Sequence, residues 1–201
     1  MEMLTYKKTL IASFLILCGC LGLGRFGFGM VLPNIQDSLL LTTTQIGFIS
    51  SANFWGYIVG IIFVNRIYSN FATHKLIFSS LILQGLFMML MTFFDNYLIL
   101  ASLYSFSGFF MAIVNMSLMA YMATVIPKNI RGKALGIAVG GSGLAIVSSG
   151  FLVPFIENSV TEMPWKTSWK IFSFLVIVIA FVSQPGIKNT LHIMLSQRLL
   201  K

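Results

Sequence analysis

The sequence predicts an all-α membrane protein with six transmembrane helices, and three observations carry that reading. Apolar residues make up 57% of the chain and charged residues only 9%, against roughly a quarter charged in a soluble domain. The apolar residues fall into six runs of about the twenty residues that cross 30 Å of hydrocarbon. The basic residues sit in short clusters between those runs, which is how a membrane protein sets its orientation. A water-soluble fold of 201 residues could not hide so much apolar surface. The net charge of +8 forms no single patch, so no nucleic-acid partner is expected; the lipid bilayer is.

The first span covers about residues 10–32. Its apolar run is too long for a cleavable signal peptide, and Arg25 interrupts it where a cleavage site is small and neutral. Pro33 is expected to close it. The second covers about 44–64, with Thr42, Thr43 and Thr44 as N-cap candidates. The third covers about 76–94 and meets the fourth, about 98–126, at an Asp95-Asn96 turn. Pro127 ends the fourth. The fifth covers about 134–156, and the sixth about 169–186, fading at Gln184-Pro185-Gly186. These spans give a six-helix transmembrane domain over 1–187 and a cytoplasmic basic tail over 188–201. In that tail Leu191, Met194, Leu195 and Leu199 could form the apolar stripe of an interfacial helix. The alternative is residual sequence after a shortened reading frame.

With the N-terminus in the cytoplasm, the inner segments hold Lys7, Lys8, Arg66, Lys75, Lys128, Arg131, Lys133, Lys188, Arg198 and Lys201, ten of the thirteen basic residues. The outer segments hold Asp37, Asp95, Glu157 and Glu162, with Lys166 and Lys170. The positive-inside rule therefore places both termini in the cytoplasm.

The spans carry little reactive chemistry. No Asp, Glu or His lies well inside one, which disfavours a proton relay or a metal site built from these helices. No metal and no cofactor is expected. Cys18 and Cys20 lie two apart on one helix, face different directions and cannot bridge each other. The deep charge is Arg25, roughly 10 Å below the outer surface. A guanidinium there needs a partner or water, and no carboxylate in the spans can supply the partner. Gly22, Gly24, Gly27 and Gly29 surround it and would let a backbone or a solute approach. Two readings stand: an anion-recognising site in a water-filled cavity, or snorkelling toward the outer headgroups. Asn53 and Tyr57 on the second span, Gln84 on the third and Asn115 on the fourth are polar at mid-depth and could share such a cavity; each is equally interpretable as helix–helix glue.

The fifth span is glycine-rich, and Gly136 and Gly140 form a small-xxx-small pair suited to close packing. Gly140-Gly141-Ser142-Gly143 also fits the G-x-S-G motif of rhomboid intramembrane proteases. That chemistry needs a histidine base at the same depth. His74 and His192 lie outside the spans, so Ser142 reads as a packing residue and no enzyme activity is expected.

Two longer motifs carry a family resemblance. Gly24-Arg25-Phe26-Gly27-Phe28-Gly29-Met30-Val31-Leu32-Pro33 and Ser51-Ala52-Asn53-Phe54-Trp55-Gly56-Tyr57-Ile58-Val59-Gly60 resemble the first two helices of the YbfB/YjiJ-type members of the major facilitator superfamily. Arg131-Gly132-Lys133-Ala134-Leu135-Gly136 and Trp165-Lys166-Thr167-Ser168-Trp169 resemble the superfamily's entries to its fifth and sixth helices. The resemblance implies two six-helix bundles, each built of inverted three-helix repeats, with the substrate between them. It implies a secondary transporter of a small solute in the bacterial inner (plasma) membrane, and it makes Arg25, Asn53 and Tyr57 candidate substrate contacts beside Asn115. The chain would be the N-terminal six-helix half of a twelve-helix bundle, truncated or completed by a separate C-terminal half. The alternatives are a homodimer pairing through the fifth helix, and a non-transporting or inactive membrane protein. Two positions depart from the superfamily pattern. Val64 stands where the loop between the second and third helices carries an acidic residue, and Tyr104 stands where the fourth helix carries an arginine four residues before Gly108.

Overall fold

A computed structural model describes the backbone of residues 2–160 and 163–199 and the side chains of 6–68, 71–160 and 163–187. Helix is the regular structure throughout, with no strand among the described residues. Six helices are long and apolar enough to cross a membrane. The first, α1, is continuous but built of three segments: α-helical Glu2–Leu17, π-helical Cys18–Phe26 and α-helical Gly27–Leu39. It is followed by α2 (Thr43–Asn70), α3 (Thr73–Met91), α4 (Tyr97–Val125), α5 (Arg131–Ser159) and α6 (Pro164–Leu199).

The helix starts follow local chemistry. Thr42 caps α2 through a capping box: its hydroxyl accepts from the Gln45 N–H while the Gln45 side chain accepts from the Thr42 N–H. Asn96 caps α4 by accepting from the Leu98 N–H at 2.9 Å. At the far end of α4, Arg131 donates twice to the Ile126 carbonyl, at 3.2 and 3.3 Å. That bond gives the Arg131-Gly132 motif a structural role, closing off the last turn before Pro127.

Two expected stops are not stops. Pro33 was expected to close the first span, yet it lies inside α1. The helix runs on to Leu39 and ends where Leu40 turns left-handed (φ 51°) and the Leu41 N–H reaches back to Gln36. Pro185 was expected to mark the fading end of the sixth span, yet it lies inside α6. A proline removes one backbone bond, and a membrane helix tolerates this where neighbours satisfy the freed groups. Pro185 leaves the Phe181 carbonyl without its usual donor. Just beyond it the Thr9 hydroxyl donates to the Gly186 carbonyl at 3.4 Å and the Tyr121 hydroxyl to the Ile187 carbonyl at 2.9 Å, which ties this part of α6 to α1 and α4. The backbone stays helical through the region expected to be a separate tail; the tail's expected apolar stripe lies outside the described side chains.

The packing order is an exchange between the two halves of the chain. α1 packs against α5 and α6, while α4 packs against α2 and α3, and α3 meets α6 along a further seam. The first helix of each three-helix set thus joins the last two of the other, the arrangement of an inverted repeat. Close approach is made at specific glycines. A Cβ on Gly56 would lie 1.8 Å from the Ser105 carbonyl oxygen, and one on Gly141 would lie 2.1 Å from that of Phe14. By contrast, Gly136 and Gly140, expected to be a close-packing pair, have open space beside them. The packing face of α5 is instead the row of Ala138, Gly141 and Ala145.

At one end of the bundle Lys166 pairs with Asp95 at 2.6 Å, and the Asn34 amide donates to Glu157. These contacts tie the α3–α4 turn to the start of α6 and the end of α1 to that of α5.

Candidate functional site

The site begins with an unusual stretch of backbone. In the π-helical segment Cys18–Phe26 each N–H reaches one residue further back than in an α-helix, as the Gly27 N–H does in reaching the Gly22 carbonyl. Side chains of two other helices bond to this segment. The Gln84 amide of α3 donates to the Cys20 carbonyl at 2.9 Å. The Tyr104 hydroxyl of α4 lies 3.4 Å from the carbonyls of both Gly24 and Arg25. Glycine is required for this approach: a Cβ on Gly24 would lie 2.2 Å from the Gln84 amide nitrogen, and one on Gly22 would lie 2.3 Å from the Ala145 methyl. These glycines were expected to let another backbone or a solute approach closely, and at Gly22 the Ser142 backbone does so. The space is otherwise filled by Gln84, Ala145 and, beside Gly27, Phe172; only Gly29 of the four is open.

Below the π-helical segment lies an aromatic knot. Phe28 packs on Tyr104 with ring centroids 4.2 Å apart, and Trp169 meets both rings edge-on at 5.3 and 6.0 Å. All three are buried. The motifs of the first and sixth spans therefore meet at Tyr104, the position where the superfamily pattern has an arginine.

The π-helical segment ends by presenting Arg25. Its guanidinium carbon lies 4.0 Å from the centroid of the Phe54 ring and 4.9 Å from that of Tyr57. Stacked guanidinium–aromatic contacts are favourable and leave the in-plane N–H groups available to a planar acceptor. No carboxylate pairs with Arg25 among the described residues. The Tyr57 hydroxyl accepts from the Asn115 amide at 2.7 Å, and the Asn115 side-chain oxygen has no partner. Arg25, Tyr57 and Asn115 are all half-buried, at the edge of the bundle rather than in its core.

Of the four residues the sequence nominated, the structure brings three together. Arg25, Tyr57 and Asn115 form one cluster joined through Tyr57. Asn53 stands apart: it is 1% exposed, and its amide donates to the Tyr104 carbonyl at 3.0 Å. It locks α2 to α4 beside Gly108, where a Cβ would lie 2.2 Å from the Asn53 carbonyl oxygen. The same-face spacing of Asn53, Tyr57 and Gly60 was read correctly as periodicity, but that face turns from helix contact to cluster along its width. Phe54 was missed as a site residue. Its place before Trp55-Gly56-Tyr57 reads as a lipid-facing aromatic, and only the position of Arg25 turns it into a stacking partner. Ser142, the residue of the protease-like motif, donates to the Val139 carbonyl of its own helix at 2.7 Å.

A family profile described as Major Facilitator Superfamily matches residues 14–188. The matched stretch reaches from α1 into α6 and includes every residue of the cluster. No curated protein matches the chain.

Proposed function

We propose that this chain, which belongs to the major facilitator superfamily, is the N-terminal six-helix half of a secondary transporter that moves a small anionic solute by alternating access. In this reading it is similar to the YbfB/YjiJ-type members, on the strength of the two motifs that meet around Arg25. The observation that carries the anion is the state of Arg25: half-buried on an apolar bundle, stacked on Phe54 and Tyr57, with no carboxylate partner among the described residues. An uncompensated guanidinium at membrane depth is costly and marks a substrate path more often than a packing site. Arg25 binds the anion, Tyr57 and Phe54 hold the guanidinium plane, and Asn115 fixes the Tyr57 hydroxyl by donating to it. Asn53 holds α2 against α4 through its bond to the Tyr104 carbonyl. The site lies at the edge of this half, where a facing six-helix unit would enclose it. The basic clusters favour an inner-membrane orientation with both termini cytoplasmic.

The test is thermal stabilisation of the purified full chain by a panel of small carboxylates and phosphates. At least one should raise the unfolding temperature. Arg25→Ala should abolish that rise, and Arg25→Lys should weaken it, because an ammonium lacks the planar fork that binds an anion bidentately. An identical rise in Arg25→Ala would overturn the anion site.

A second reading is favoured by one feature. The open glycines Gly136, Gly140 and Gly143 leave a smooth strip on α5, which would let the facing unit be a second copy of this chain rather than a separate C-terminal half. Cysteines placed at Ala138 would be silent, whereas Gly140→Cys should cross-link two copies only if α5 meets α5.

A further inference from the structure

A cleft lies near the N-terminal end of α1, away from Arg25. Its walls are Ile11, Ala12 and Leu15 of α1 and Val182, Pro185 and Gly186 of α6, with Lys8 at its mouth, and its volume is about 280 Å³. The two helices pack closely at Gly186 beside the cleft, as they do further along at Gly19 and Gly27. A Cβ on Gly186 would lie 2.7 Å from the Ala12 methyl and 2.9 Å from the Lys8 carbonyl oxygen. Two of its walls, Ile11 and Val182, are each 61% exposed.

Position and charge together say what fills it. Leu15 lies seven residues beyond Lys8, roughly 10 Å along the helix axis. The cleft thus starts at the level of a basic residue and runs into the apolar part of the span. An apolar cleft at that depth holds no water, so the chain of a lipid is the filling the bilayer supplies. Lys7 and Lys8 are exposed and pair with no carboxylate among the described residues. Basic residues at the mouth of a cleft between membrane helices select anionic headgroups.

We propose that this cleft is a binding site for an anionic phospholipid, with one acyl chain between α1 and α6 and the headgroup phosphate on the Lys8 ammonium. The site needs neither Arg25 nor transport. It is an extended lipid contact that also fastens the proline-containing part of α6 to α1.

Native mass spectrometry of the purified full chain with equal amounts of phosphatidylglycerol and phosphatidylcholine of matched acyl chains tests it. The wild type should retain phosphatidylglycerol in preference. Lys8→Gln should lower that preference about fivefold, the effect of one lysine near an anionic headgroup. Lys8→Arg should keep it. Val182→Trp, which fills an exposed wall of the cleft without disturbing the crossing at Gly186, should lose the retained lipid although Lys8 remains. Equal retention of the two lipids by the wild type would overturn the proposal. So would an unchanged preference in Lys8→Gln, or full retention in Val182→Trp. A loss in Lys7→Gln as large as in Lys8→Gln would also overturn it, because diffuse surface charge would then explain the preference.

Discussion

The Tyr104 hydroxyl lies within 3.4 Å of the carbonyl oxygens of both Gly24 and Arg25, so one side chain of α4 serves two successive carbonyls of the segment that presents the charge. Asn53 in turn donates to the Tyr104 backbone. The first, second and fourth helices are thus joined through a single residue, and Arg25 stands at the end of that connection.

Tyr104→Phe keeps the ring against Phe28 and Trp169 and removes only the hydroxyl. Interhelical hydrogen bonds in membrane proteins contribute about 0.6 kcal/mol on average and up to about 1.7. The substitution should cost about 1 kcal/mol in reversible unfolding in mixed micelles. A variant as stable as the wild type would mean that the hydroxyl does not support the π-helical segment.

Gln84→Leu removes the other donor, the one to Cys20. Both donors hold the same segment, so their losses should couple. The double variant Gln84→Leu with Tyr104→Phe should cost at least 0.5 kcal/mol more or less than the sum of the single losses, a departure expected of side chains sharing one network. Strict additivity would show two independent helix contacts instead of one supported unit.

The outline of this fold was legible because lipid imposes it. The apolar runs and the alternating charges read as six spans, since a membrane accepts few other solutions. The interior of α1 was not legible. Its π-helical segment depends on Gln84 and Tyr104, which lie more than sixty residues away in the chain. Glycine-Arg25-Phe26-Gly27 shows only that something approaches closely, not what. Pro33 and Pro185 misled because a proline removes one backbone bond without having to end a helix, and contacts from other helices, such as those of Thr9 and Tyr121 just after Pro185, hold the backbone in line. Of the site, Arg25, Tyr57 and Asn115 were legible as polar groups that lipid would not accept unaided. Phe54 was not, because an aromatic facing lipid and one stacked on a guanidinium look alike in sequence.

Gly56 and Gly136 provide a contrast in one substitution. A Cβ on Gly56 meets the Ser105 carbonyl at 1.8 Å, whereas one on Gly136 meets nothing within 4 Å. Gly56→Ala should force α2 from α4 and cost about 1–3 kcal/mol, as overpacking does. Gly136→Ala should be neutral, or stabilising by up to about 1 kcal/mol through helix propensity. Unfolding of the two variants side by side checks this, and a destabilised Gly136→Ala would reveal a neighbour for α5.

The Asp95–Lys166 pair is partly exposed, and such pairs contribute about 0–1 kcal/mol. Asp95→Asn should therefore lower stability by less than about 1 kcal/mol, and raising the salt concentration should shrink the difference further. A larger, salt-independent loss would assign Asp95 a role beyond tying the α3–α4 turn to α6.

Tyr57 does two things at once, and two substitutions separate them. Tyr57→Phe keeps the ring 4.9 Å from the Arg25 guanidinium but removes the acceptor for Asn115. Tyr57→Leu removes both. A stacked cation contributes about 0.5–1 kcal/mol at an exposed site, so Tyr57→Leu should weaken anion binding about two- to fivefold by that term alone. If the ring orients the guanidinium, Tyr57→Phe should retain most of the affinity that Tyr57→Leu loses, as titrated with the anion that stabilises the wild type. Equal losses in the two variants would move the orienting role from the stack to the Asn115 hydrogen bond, and the site would then be organised from α4 rather than from α2.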